Sequence, residues 1–121
     1  MNKYFENVKK NFGFGCMRFP LIGTEQSDVD ENATSELIDH AIANGINYFD
    51  TAWPYHNGES EPFVGKVMQK YPRESFYFAT KLPCWNVKER EDATRIFEQQ
   101  LEHLHSDYVD FYLLHAMNKN S

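Results

Sequence analysis

The sequence predicts an α/β fold of parallel βα units, and three observations carry that reading. Short apolar stretches (INYFD, FYFATK, YVDFYLLH) alternate with longer segments whose apolar residues recur at helical spacing. The short stretches are nearly continuous in apolar character instead of alternating with polar residues, as expected of strands covered on both faces. Strands separated by helices need crossover connections, so neighbouring strands run parallel.

Taken in order, FGFGCM (residues 12–17) reads as a first strand, although its glycines weaken the pairing. In DVDENATSELIDHAIANG, Leu37, Ile38, Ala41 and Ile42 share one helical face, acids gather at the start, and Gly45 stands where a helix stops. INYFD (46–50) is the next strand. SEPFVGKVMQK (60–70) regains the helical period through Phe63, Val64, Val67 and Met68, with Ser60 as the expected N-cap and Pro62 tolerated in the first turn. FYFATK (76–81), bounded by Pro72 and Pro83, is a strand. A third helix follows through Ala93, Ile96, Phe97, Leu101 and Leu104, and YVDFYLLH (108–115) closes the series as a fourth strand.

With 121 residues and 41% hydrophobic content the chain is the size of one globular domain. The polar N-terminus is no signal peptide and no apolar run reaches membrane-spanning length, so a cytoplasmic location without membrane attachment is the expectation. Cys16 and Cys84 are far apart and unpaired by motif, which argues against a disulfide scaffold and against a metal site. His103 and His105 are two apart, so on a helix they face apart and make no metal pair. A net charge of −6 has the wrong sign for tracking a phosphate backbone, and nucleic-acid binding is not expected. GFGCMR (13–18) begins like a dinucleotide-binding glycine motif but ends on Arg18 and lacks the ribose-binding acid about 20 residues on, so a Rossmann domain is rejected.

The stretch NYFDTAWPYH (47–56) ends an apolar strand on Asp50 and presents Tyr55 five residues later. Lys81 and His115 interrupt the next two strands in the same way, at intervals of 31 and 34 residues, about one βα repeat each. Each residue alone has an ordinary explanation: a capping carboxylate, a solvated lysine, a hydrogen-bonded histidine. Repeat spacing gives those separate causes no reason to coincide. It places Asp50, Lys81 and His115 on one rim at the carboxyl ends of parallel strands, with Tyr55 overhanging it, where α/β folds bind ligands.

GINYFDTAWPYHNGESEPFVGKVM, FATKLP and DYVDFYLLH resemble the aldo/keto reductase family over about Phe12 to His115. The resemblance implies the N-terminal half of a TIM-type (β/α)8 barrel and reduction of an aldehyde or ketone with NADPH or NADH. It implies a catalytic group of Asp50, Tyr55, Lys81 and His115. Gly15, Cys16, Met17 and Arg18, which follow the first strand, are implied with Asp50 as neighbours of the nicotinamide. Trp53 and Trp85, with Tyr55 and His115, are candidates for the substrate pocket, the two tryptophans equally readable as rim packing. GFGCMRFP further resembles a bacterial branch, some members of which carry an iron–sulfur domain after the barrel, but this sequence has no cysteine cluster for such a centre.

The chemistry agrees with the resemblance. Hydride addition to a carbonyl carbon builds negative charge on oxygen, which a proton donor must neutralise. Tyr55 suits that role if a nearby ammonium, Lys81, favours its phenolate, and Asp50 is the partner that keeps Lys81 charged in a pocket of low dielectric. His115 can donate to the same oxygen.

A full barrel of this type takes about 200–250 residues, and in the family most nucleotide contacts come from its second half. A truncated or fragmentary chain is therefore the first expectation, with self-association or pairing with another chain as alternatives. The isolated chain is expected to show weak or no NADPH-dependent activity and to associate at least as a dimer. A non-catalytic half-barrel serving as an interaction module is the competing reading.

Overall fold

The computed structural model describes residues 6–10 and 12–118, and its four strands form a single parallel sheet in the order β1-β2-β3-β4. The strands are β1 (Phe14–Gly15), β2 (Tyr48–Asp50), β3 (Tyr77–Pro83) and β4 (Phe111–His115); the helices are α1 (Glu31–Ala43), α2 (Ser60–Met68) and α3 (Arg90–Leu104). Strand order follows chain order without reversal. Each crossover therefore steps the same way, as in a barrel, and no switch point of a doubly wound sheet occurs among the described strands.

Local chemistry starts and stops each helix. Asp30 caps α1, its carboxylate accepting from Ala33 N–H at 3.1 Å, and Gly45 takes the left-handed conformation (φ 90°) just after α1 ends. For α3, Glu89 and Asp92 form a reciprocal capping box. Ser60 departs from its expected role: the N-cap of α2 is Glu59, without a side-chain cap, and Ser60 is the first helical residue. Its hydroxyl is used across the fold instead, donating to the Cys16 carbonyl at 2.9 Å and lying 2.8 Å from Thr51 Oγ1.

The strand bounds also differ from expectation. β1 pairs over only two residues, because Gly13 and Gly15 offer no side chains to hold a longer ladder. β3 runs on through Pro83, whose partner is His115, so Lys81 lies within the strand and not at its end.

The three helices lie side by side on one face. Lys66 of α2 reaches Glu31 of α1 at 3.3 Å, Lys70 meets Asp39 of α1 at 2.8 Å, and α2 packs along α3. At that last crossing a Cβ on Gly65 would stand 2.4 Å from the His103 carbonyl oxygen, so the backbones approach as only glycine permits. Phe49 and Phe78 project from the sheet into this layer and bury with Ile38, Val64, Met68 and Leu104.

Side chains alternate across a sheet, so the neighbours of Phe49 and Phe78 face the other way. That face carries a ladder of rings, with Tyr48, Tyr77 and Phe111 at centroid separations of 5.7 to 6.2 Å. It ends in Asp50, Lys81 and His115. β4 pairs with β3 along one edge, and its Leu113 and Leu114 are 46% and 55% exposed, one on each face. The continuous apolar character of β4 thus does not translate into cover on both faces among the described residues. No helix among them is long and apolar enough to cross a membrane.

Candidate active site

Register decides how the three polar residues meet. Asp50 is paired with Ala79, Lys81 with Leu113, and His115 with Pro83, so each site residue stands one pleat further along its strand than the one before. All three have the same parity and face the same side. The step is two residues, about 6.6 Å, from each strand to the next.

Lys81 Nζ lies 3.0 and 3.1 Å from the two Asp50 oxygens and donates to the Thr51 carbonyl at 2.7 Å. Both side chains are partly withdrawn from water, Lys81 more than Asp50 (15% and 35% exposed), which strengthens the pair relative to a surface bridge. Tyr55 opens the 3-10 turn Tyr55–Gly58, and the Lys81 ammonium sits over its ring, 4.8 Å from the centroid. The hydrogen bonds of Lys81 run to Asp50 and Thr51, so it meets Tyr55 at the ring face.

His115 meets Tyr55 edge to face at 5.9 Å and Trp85 at 5.2 Å. Burial, with the Lys81 charge beside it, pulls the imidazole below the usual histidine range, outweighing the opposite pull of Asp50. The ring is neutral at pH 7 as a result. Its Nδ1 is buried and has no hydrogen-bond partner among the described residues.

The cofactor-side residues divide. Gly15 pairs with Asp50, and nothing lies within 4 Å of where its Cβ would be, which leaves open space beside the carboxylate. Met17 and Arg18 are exposed. Cys16 is fully buried in the core, where desolvation and the Asp50 charge push its thiol up, so its side chain faces away from that space. Its amide extends the β1 ladder by donating to the Asp50 carbonyl at 2.8 Å. The tryptophans also separate: Trp85 stands against His115, whereas Trp53 packs on His103 of α3 at 5.6 Å.

Several polar groups were not anticipated. Glu61, 1% exposed, accepts from Thr80 Oγ1 at 2.7 Å and Gln100 Nε2 at 2.8 Å and lies 3.2 Å from His103 Nδ1. Burial pushes its carboxyl up against the opposing effect of those hydrogen bonds. Gln100 also donates to the Lys81 carbonyl at 2.8 Å, and the Tyr112 hydroxyl donates to Gln100 Oε1. The sequence signal was an acid beside Ser60 at the start of a helix, which reads equally as an ordinary first-turn carboxylate. His103 is thus engaged with Glu61, and no group of three or more metal-ligating side chains is found among the described residues.

Comparison with known proteins settles the family. The family model described as "Aldo/keto reductase family" matches residues 11–121. The chain belongs to the aldo/keto reductase family. It is 32% identical over 114 residues to a probable aldo-keto reductase of Glycine max, covering 88% of this chain and 32% of that protein. It is 35% identical over 100 residues to the glycerol 2-dehydrogenase (NADP(+)) of Saccharomyces cerevisiae, covering 81% and 30%. Among solved structures, a thermostable aldo-keto reductase in complex with the inhibitor epalrestat superposes with a TM-score of 0.76 at 32% identity, covering 90% of this chain and 39% of that one. Other solved aldo-keto reductases of similar fold hold NADPH. The aldo/keto reductase chain described here spans about a third of the length of the curated relatives it matches and forms part of their barrel.

Proposed function

We propose that this chain carries the proton-donating group of an NAD(P)H-dependent carbonyl reductase. The observation that carries the reading is the Lys81 ammonium, held by Asp50 at 3.0 Å and standing over the Tyr55 ring at 4.8 Å, with the His115 ring on the same phenol. NADPH or NADH, when bound, supplies a hydride to the carbonyl carbon; Gly15, Met17 and Arg18 are the residues that would border the nicotinamide. Tyr55 gives its hydroxyl proton to the carbonyl oxygen. The charge left on the phenol develops on a ring that the ammonium overlies, so the two attract. Asp50 holds that ammonium in place. Neutral His115 donates a second hydrogen bond to the oxygen and orients a small aldehyde or ketone, with Trp85 as an apolar wall.

A second reading is favoured by β4, whose exposed Leu113 and Leu114 leave an apolar edge: a half-barrel that self-associates and has no turnover of its own. One experiment separates the two. Aldehyde-dependent NADPH oxidation is followed across a range of chain concentrations for the wild type and Tyr55→Phe. Reductase chemistry predicts slow turnover, rising faster than linearly with concentration and falling roughly 10²–10⁴-fold in Tyr55→Phe, with the circular dichroism of the fold unchanged. Equal turnover in the two proteins overturns Tyr55 as the donor. No turnover at any concentration leaves the interaction reading standing.

A further inference from the structure

His56, next in sequence to Tyr55, is a buried histidine that the proposed reaction does not use. It is 3% exposed, and both ring nitrogens are engaged 30 or more residues away: Nε2 lies 2.9 Å from Phe19 N and Nδ1 lies 2.9 Å from the Gln26 carbonyl. These partners define the tautomer. A backbone N–H can only donate, so Nε2 accepts; a carbonyl can only accept, so Nδ1 carries the hydrogen. The Phe19 ring lies parallel to the imidazole at 5.1 Å and 3°.

The turn that presents this ring is held away from ordinary geometry. His56 and Asn57 both have φ of 55°, and Gly58 follows at 91°. Two successive non-glycine residues in the left-handed region cost about 1 kcal/mol or more each and persist only where surrounding contacts over-determine them. Four residues further on, Ser60 donates to the Cys16 carbonyl at 2.9 Å. The exposed pair Met17 and Arg18 is therefore bracketed between a tie at Cys16 and a tie at Phe19, both made from the segment that begins with Tyr55.

We propose that His56 is a positioning residue which, as the Nδ1–H tautomer, locks the Phe19–Gln26 stretch of the β1–α1 loop onto the turn carrying Tyr55. Its consequence rests on the oxidoreductase reading: the nicotinamide-side loop and the proton donor move as one body. Ser60 anchors the near end of the loop and His56 the far end.

The test uses the purified chain and needs no turnover. In the wild type, imidazole 15N spectra are expected to show protonated Nδ1 and unprotonated Nε2, and the Phe19 amide to exchange slowly with deuterium. His56→Phe retains the stack but removes both ties, and His56→Gln restores an acceptor near Nε2. Exchange at Phe19 is expected to quicken about tenfold or more in His56→Phe and to return toward the wild-type rate in His56→Gln. The Nε2–H tautomer, or Phe19 exchange that is the same in wild type and His56→Phe, overturns the proposal. Should His56→Phe fail to fold, the wild-type tautomer and His56→Gln still decide it. A nicotinamide-fluorescence titration with NADPH adds the functional arm: His56→Phe is expected to bind about tenfold more weakly, with rescue in His56→Gln. Unchanged affinity with a released loop overturns the positioning role. Absence of NADPH binding to the wild type instead sinks the oxidoreductase reading, while Phe19 exchange still judges the lock.

Discussion

Thr80 and Lys81 are neighbours on β3 and face opposite ways, each toward a carboxylate. Thr80 donates to Glu61 in the helix layer; Lys81 pairs with Asp50 on the ring-lined face. Glu61 is 1% exposed and is met by a hydroxyl, an amide and an imidazole. Asp50 is met by a full positive charge and keeps 35% of its side chain open. The difference separates two uses of a buried acid. Hydrogen bonds from Thr80, His103 and Gln100 satisfy Glu61 but leave burial dominant, so its carboxyl is pushed up and it joins α2, β3 and α3. The Asp50–Lys81 pair holds an ammonium over the Tyr55 ring on a face that stays partly open to water.

The largest effect expected from breaking this contrast is Glu61→Ala. It strips partners from Thr80, Gln100 and His103 and leaves a cavity, at a cost of roughly 2–4 kcal/mol in urea unfolding. A loss under about 0.5 kcal/mol would remove Glu61 from the structural ledger. Glu61→Gln sharpens the point through pH. A folded-state pKa above the ordinary value makes wild-type stability fall as pH rises from about 4.5 through the raised value, because the unfolded chain releases its proton first. The advantage of Glu61→Gln over wild type therefore grows with pH across that window, and a constant difference would contradict the burial argument.

Asp50→Asn is expected to do the reverse of Glu61→Ala. Removing one partner of this partly buried ion pair costs about 1–2 kcal/mol of stability, between the surface and the fully buried case, yet any NADPH-dependent turnover should fall with it, since the ammonium loses the charge that holds it. A large stability loss with turnover intact would invert the assigned roles. The smallest effect concerns His115. Its lowered pKa means that the unfolded chain binds a proton the folded chain resists, so stability is full above about 6.5 and declines as pH falls below it. His115→Gln should flatten that slope, which thermal unfolding between pH 7 and 5 can measure.

Much of this was legible in the chain. Helical period and short apolar runs located three helices and four strands, since both are local patterns, and residue spacing placed Asp50, Lys81 and His115 on one sheet. The misreadings have local causes too. Ser60 has the chemistry of a cap, and nothing nearby announces that its hydroxyl is taken by Cys16, 44 residues earlier. Lys81 with a proline two residues on looks like a strand end, yet Pro83 can close a strand when its missing N–H is not required by the ladder. His56 and Glu61 sat unread beside Tyr55 and Ser60, because a buried polar residue is recognised only by partners that sequence does not name.

The sequence by itself determined the family, the order of βα units and the identity of the ionisable groups, because these reside in composition, periodicity and motif. Tertiary structure alone decided that Asp50, Lys81 and His115 share parity and stagger, that the ammonium lies over the Tyr55 ring, and that His56 and Ser60 bracket Met17 and Arg18. Those facts depend on strand register and on contacts spanning 30 or more residues. No local window of the chain contains both partners of such a contact, so only folding brings them together.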